Sequence, residues 1–180
     1  MDQYMFILLV GGGAVIFSCL LALFWFGGFL LPIIYGGGPF VPSSNKIVKQ
    51  MIELAQITPG DRVADLGSGD GRMLIAAAKA GAQSVVGYEI HPGLVAISRF
   101  WARKEKLQSR VQTIKQSFWK ADVHDVTVVL LYQLPDSMTK LGDKLRAELP
   151  SGARIVSHAF PITNWEPVSH IGKLFLYKKT

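Results

Sequence analysis

Asp65, Gly67, Ser68, Gly69, Asp70 and Gly71 stand together in the run RVADLGSGDGR, and Glu89 closes the run SVVGYE further along. Glycines on alternate positions let backbone N–H groups approach a ligand closely, because a residue without Cβ accepts positive φ. What such a turn holds depends on the charges beside it. A phosphate-cradling loop needs GxxxxGK(S/T), and no Lys-Ser or Lys-Thr stands in that place. A dinucleotide turn, GxGxxG, lays a pyrophosphate on backbone amides, and the carboxylates of Asp65 and Asp70 would repel it. Two carboxylates suit instead a ligand with a positive charge and an amino-acid end. Glu89, about 20 residues beyond the first glycine, can accept both hydroxyls of a ribose. S-adenosyl-L-methionine, with its sulfonium and α-ammonium, fits that description. The bland alternative is a glycine turn that only closes a strand–helix corner.

To bring these groups together the chain must alternate strands and helices. RVADL (62–66) reads as a strand, RMLIAAAKA as a helix stopped by Gly81, and SVVGYEI as a second strand. Pro92 opens a helix to Lys106, RVQTIKQ alternates as a strand does, and VTVVLLY is apolar enough to be buried on both faces. DSMTKLGDKLRAEL is helical, ARIVSHAF is a fifth strand, and WEPVSHIGKLFLYKK reads as a hairpin. Upstream, NKIVKQMIELAQI puts Ile47, Val48, Met51, Ile52, Leu54 and Ala55 on one helical face, with Ser43, Ser44 and Asn45 as capping candidates. The fold class is therefore α/β: a Rossmann-like, doubly wound parallel sheet with a C-terminal antiparallel hairpin. Ligands in such sheets sit beyond the carboxyl ends of the strands, beside the first strand, where the glycine turn lies.

The first 45 residues have another composition. No charged side chain occurs from Gln3 to Asn45, whereas all 19 Lys and Arg lie at or beyond Lys46. Met5 to Phe26 supplies the ~20 apolar residues that a helix needs to cross a bilayer. Gly27-Gly28 and Pro32 interrupt the apolar run before Tyr35, so the expectation is a spanning helix followed by a broken, interfacial segment. A secretory signal peptide competes, but MDQYM lacks the basic residue of an n-region and the apolar run is too long. The organisation read here is an N-terminal transmembrane anchor (1–35), a linker and cofactor-closing segment (36–45) and a catalytic domain (46–180). Positive charge beyond Lys46 puts that domain on the cytoplasmic, or matrix-equivalent, side. Ala14, Ser18 and Ala22 recur at the spacing of a membrane helix–helix contact, although small residues are common in such helices anyway.

Cys19, the only cysteine, lies in the apolar run, which excludes an internal disulfide and a cysteine zinc site. His91, His124, His158 and His170 show no metal-ligand spacing, so no metal is expected. The formal net charge of +6 suits an anionic membrane surface or an acidic partner. Its dispersal, without aromatic-interleaved basic runs, leaves nucleic acid unexpected.

VADLGSGDGR followed by VGYEI resembles the class I, seven-strand S-adenosylmethionine-dependent methyltransferases. PFVPSS, GDGR and LRAELPSGARIVSHAFPITNW, together with the apolar N-terminus, resemble one group within them. These are the membrane-anchored protein-lysine methyltransferases of the adenine nucleotide translocase and ATP synthase c-subunit, with their small prokaryotic relatives. The resemblance covers Gly38 to Thr180. It implies that Asp65, Gly67, Ser68, Gly69, Asp70 and Gly71 line the methionine end of the cofactor and that Glu89 takes its ribose. Ser117 and Phe118 would occupy the adenine corner, where many relatives carry an acid near Ser117. Phe40, Val41 and Pro42 would close over the cofactor; PFVP read without the resemblance is a stiff spacer.

Tyr132, ending the fourth strand, is placed to steer an acceptor amine, and His158, ending the fifth, could face the same acceptor or be a satisfied strand-end histidine. YQLP stands where enzymes acting on exocyclic base nitrogens carry an Asn-Pro-Pro-Tyr-like motif, a departure that argues against nucleic-acid bases as acceptor. The expected function is methyl transfer to lysines of a membrane or membrane-associated protein. A lipid or other amphiphile as acceptor, or a cofactor-binding module without catalysis, are the alternatives.

Overall fold

A computed structural model describes residues 2–34 and 40–180; the GGGP part of the linker, 36–39, lies outside the described residues. The chain forms two compact units, Met1–Phe40 and Val41–Thr180.

The first unit is one helix, α1 (Gln3–Ile34). The backbone runs unbroken through Gly27-Gly28 and Pro32, which corrects the expectation of a spanning helix followed by a broken segment. Each glycine in a helix costs about 1 kcal/mol and a proline about 3 kcal/mol for the single i→i−4 bond it removes, penalties that a long helix can carry. Gln3–Leu23 is long and apolar enough to cross a membrane, with a mean hydropathy of 2.6, a property that an N-terminal signal sequence would share.

The second unit begins with α2 (Asn45–Ala55), capped by the Ser44 side chain on the Ile47 N–H. Then follow β1 (Arg62–Leu66), α3 (Arg72–Lys79), β2 (Ser84–Glu89), α4 (Pro92–Lys104), β3 (Val111–Lys115) and a 3-10 turn at Phe118–Lys120. β4 (Val128–Leu131), α5 (Pro135–Glu148), β5 (Arg154–His158), β6 (Ser169–Ile171) and β7 (Leu174–Lys178) complete it. The sheet order is β3-β2-β1-β4-β5-β7-β6. The first five strands are parallel, and β7 and β6 join antiparallel. This is the expected doubly wound sheet with its terminal hairpin.

Two apolar layers hold it. Val48, Met51, Leu74, Ala77 and Ala102, from α2, α3 and α4, pack on one face of the sheet. Met138, Leu141 and Leu145 of α5, with Phe118 and Val123, pack on the other. β4 is buried along its whole length, as a strand covered on both faces must be.

A polar network closes the amino ends of the parallel strands. Asp61 accepts hydrogen bonds from the Thr58 N–H at 2.6 Å, the Thr127 hydroxyl at 2.7 Å and Arg154 Nη2 at 2.5 Å. Burial pushes this carboxyl up, and the Arg154 guanidinium and its other donors outweigh that and hold it at about 2. A depressed carboxyl lends stability above its unfolded value, near 4, and loses it as pH falls toward 2. Asp61→Ala leaves a largely buried guanidinium unpaired and is expected to cost about 3 kcal/mol. Thermal unfolding at pH 7 should show this loss while ligand binding at the opposite ends of the strands stays unchanged. Urea titrations between pH 5 and pH 2 should show a flatter acid limb in Asp61→Asn than in the parent.

Candidate active site

β1 ends at Leu66, and the chain turns at once through three glycines with φ of 95°, 54° and 84° at Gly67, Gly69 and Gly71. Only glycine adopts such values without strain. Space forbids side chains as well. A Cβ on Gly67 would lie 2.2 Å from Gln133 Nε2, and one on Gly71 2.2 Å from Ser98 Oγ. The Gly67 and Ser68 N–H groups donate to the Tyr88 carbonyl, which locks the turn to β2.

Glu89 ends β2 with both oxygens engaged. Oε2 accepts the Gly69 N–H at 2.9 Å and Oε1 the His91 N–H at 2.8 Å. One carboxylate thus joins the glycine turn to the start of α4, with lone pairs left for a ligand. Asp65, buried in β1, is under opposite pressure. Burial, and then the charges of Glu89 and Asp70, raise its carboxyl to about 8. At neutral pH this carboxyl is therefore largely protonated, and carboxyls perturbed in this way cluster at functional sites.

Asp70 is turned to another task. Arg72 Nε contacts both of its oxygens at 3.0 and 3.1 Å, and Arg72 Nη2 reaches Oδ2 at 2.6 Å. The same guanidinium donates from Nη1 to the Ser43 carbonyl at 2.6 Å, tying the segment before α2 to the glycine turn. Val41 and Pro42, which precede it directly, are exposed. Phe40 is exposed and closes the first unit. The Ser68 hydroxyl is buried, packs toward Gly87 and has no hydrogen-bond partner among the described residues.

Beyond β3, Ser117 is half-buried. The Phe118 ring lies in the core beneath the α5 face of the sheet, 4.7 Å from the Trp119 ring.

The ends of β4 and β5 bring Tyr132 and His158 together, their rings 4.3 Å apart and tilted by 45°. Burial, with the charge of Lys173, holds His158 below the usual histidine range, so its imidazole is neutral at pH 7. Its Nδ1 is buried without a partner among the described residues, the kind of atom that a ligand or water satisfies. The turn after it is strained. Ala159 has φ 68°, and the Phe160 N–H returns to the His158 carbonyl at 2.9 Å. Such a conformation in a residue with a Cβ costs about 1–3 kcal/mol and persists where surrounding bonds over-determine it. Here the Ser157 hydroxyl on the Phe160 carbonyl (2.6 Å) and the Ala159 N–H on the Lys173 carbonyl (2.8 Å) do so.

Two site residues escaped the sequence reading. Gln133, buried after β4, donates to the Leu66 carbonyl at 2.5 Å and so roofs Gly67. The signal was present: a polar residue between an apolar strand and Leu-Pro, inside YQLP. Arg72 is the second, the last residue of GDGR. Among the described residues no cluster of three or more His, Cys, Asp or Glu could hold a metal.

Comparison with known proteins adds names to this geometry. A family model described as ANTKMT methyltransferase domain matches residues 65–169. Adenine nucleotide translocase lysine N-methyltransferase of Mus musculus is 38% identical over 135 residues, covering 75% of this chain and 58% of that protein. Protein-lysine N-methyltransferase of Saccharolobus islandicus is 37% identical over 130 residues, covering 72% of this chain and 81% of that one. A crystal structure described as an RNA methyltransferase from Salinibacter ruber in complex with S-adenosyl-L-homocysteine superposes with a TM-score of 0.72. It is 37% identical and covers 77% of this chain and 92% of its own. The chain spans under three fifths of the length of the mouse translocase enzyme.

Proposed function

The chain belongs to the ANTKMT methyltransferase domain family, and on that basis we propose that it transfers methyl groups from S-adenosyl-L-methionine to lysines of a membrane or membrane-associated protein. The observation that carries the reading is the acid pair at the glycine turn, Asp65 and Glu89, at the carboxyl ends of β1 and β2. The lysine acceptor rests on the relatives named for it.

The residues present fit that cofactor. Asp65 offers a carboxyl for an α-ammonium, and Glu89 keeps acceptor capacity for ribose hydroxyls beside its two N–H bonds. The glycines hold open a cradle that side chains would fill. Gly67, Ser68, Gly69 and Gly71 line it, Asp70 shapes it through Arg72, Ser117 and Phe118 border the adenine side, and Val41 and Pro42 close it. When bound, S-adenosyl-L-methionine supplies an electrophilic methyl group. The chain's own residues must then orient the acceptor amine and remove its proton. A lysine arrives protonated, with an ordinary pKa near ~10.4. Tyr132 Oη orients the amine, and the neutral His158 imidazole receives the proton as the amine is desolvated.

Tyr132→Phe keeps the ring and removes the hydroxyl. Turnover is expected to fall by about tenfold or more, on the scale of positioned polar groups, with cofactor affinity unchanged. An unaltered turnover would remove Tyr132 from the catalytic assignment.

Residues 1–35 serve as a single-pass anchor in this proposal, 36–45 as linker, and 46–180 as the catalytic domain on the cytoplasmic or matrix-equivalent side. Tethering raises the effective concentration of acceptors in the same bilayer. The test incubates the detergent-purified chain with radiolabelled S-adenosyl-L-methionine and membranes from cells lacking the gene. Label recovered as methyl-lysine in a discrete protein band is the expected result. Label in the lipid phase would favour an amphiphile as acceptor. Label in RNA would favour the chemistry for which the Salinibacter protein is named.

A further inference from the structure

We propose that the outer face of α4 is a docking surface for an anionic lipid bilayer. Val95, Ser98 and Ala102 turn one side of this helix into the protein. The opposite side leaves Ile97, Phe100 and Trp101 42%, 57% and 38% exposed. With Lys104 these residues follow the i, i+3, i+4, i+7 spacing of one helical stripe. Phe100 and Trp101 stack edge to face, with ring centroids 5.5 Å apart, and Lys104 Nζ sits 4.5 Å above the Trp101 ring. Single exposed apolar side chains are ordinary on a protein surface, but a contiguous aromatic stripe on a well-packed helix is not.

Charge identifies the occupant. Arg103 and Lys104 lie exposed on α4, Lys106 and Arg110 follow it, and Arg99 is turned to the Thr113 carbonyl at 2.8 Å, while Glu105, the only acid from 92 to 110, is paired with Lys79 at 2.6 Å. The α5 helix, across the sheet, lacks this character: Asp136, Asp143 and Glu148 interleave with its Lys and Arg. Aromatic rings at headgroup depth, ringed by cations whose stems lie along apolar surface, match an interface rich in acidic phospholipid. A bilayer is also at hand, since Gln3–Leu23 has the length and apolarity to cross one. The inference goes beyond the proposed methyl transfer and draws on that reading only for the bilayer that the anchor would bring near. α4 starts at Pro92, three residues past Glu89, so its docking would set the orientation of the cofactor site relative to the membrane.

The test uses the full chain in vesicles. Cys19→Ser removes the only cysteine, and Ile97→Cys or Ala147→Cys then carries an environment-sensitive dye on α4 or on the exposed outer side of α5. Vesicles of phosphatidylcholine, with or without phosphatidylglycerol, contain a nitroxide-labelled lipid as quencher, and flotation reports anchoring separately. Quenching at position 97 should be several-fold stronger in the anionic vesicles, should be lost in high salt or in R103E/K104E, and should be absent at position 147. Equal quenching at 97 in both vesicle types, or none in either while the chain floats, overturns the proposal without touching the anchor. Failure to float on neutral vesicles would remove the anchor. Salt-sensitive quenching at 97 in anionic vesicles would then still support the docking face.

Discussion

Asp65→Asn is expected to abolish cofactor binding while making the ligand-free protein more stable at alkaline pH. The carboxyl lies buried in β1, and burial with the charges of Glu89 and Asp70 raises it to about 8. A folded value above the unfolded one, near 3.8, contributes stability in full below pH ~4. That contribution is lost progressively as pH rises to about 8. The parent should therefore melt at a lower temperature at pH 8.5 than at pH 5.5, on account of this group, and Asp65→Asn should not carry that slope. For a chain of this size each kcal/mol corresponds to roughly 2–4 °C.

Binding runs the other way. A ligand ammonium needs the carboxylate, so below pH 8 its binding must expel a proton. Affinity should climb by up to about tenfold per pH unit toward pH 8, then level off where a free α-amino group begins to lose its own proton. Calorimetry at pH 7 in two buffers of different ionisation enthalpy should find about one proton released in the parent. Retained affinity in Asp65→Asn, or no proton release in the parent, would end the assignment of Asp65 to the ligand's ammonium.

The second large effect belongs to Glu89. Glutamine preserves its length and volume but has one acceptor oxygen where the carboxylate has two. Gly69 and His91 each present an N–H to a separate oxygen, so one of them would face an amide NH2. A buried N–H left unpaired costs about 1–3 kcal/mol, and bonds to a charged acceptor are worth about 1.5–3 kcal/mol each. Cofactor affinity in Glu89→Gln is expected to fall on the order of 100-fold or more, with a melting temperature a few degrees lower. Titration calorimetry and thermal unfolding read the two together. Near-parental affinity in a folded variant would mean that Glu89 serves the turn alone.

Much of this arrangement can be read from the chain itself because its signals are local. Alternating apolar runs separated by Gly and Pro define β1 to β5, and the hairpin after Trp165 follows from the same cues. Asp65, the glycines and Glu89 are legible by spacing. What escaped depends on distant partners or on opposing local rules. Gln133 meets the Leu66 carbonyl 67 positions away, and Arg154 meets Asp61 across 93, separations that no periodicity reports. Asp70 reads as a ligand group, and nothing in the spacing tells that the guanidinium two residues on grips both its oxygens. α1 continues through Gly27-Gly28 and Pro32, where breaker residues alone suggested an interruption. The strain at Ala159 has no sequence signal, since positive φ is marked by Gly, Asn or Asp and alanine does not announce it.

Arg72 has a bearing on where this protein can be cut. Its guanidinium joins Asp70 to the Ser43 carbonyl, and the next residue, Ser44, caps α2. A shortened chain starting at Lys46, where the basic residues begin, would discard both the acceptor and the cap. Starting at Val41 keeps them, so the shortest fragment that retains these contacts is set by two uncharged serines in a stretch that composition alone assigns to the linker.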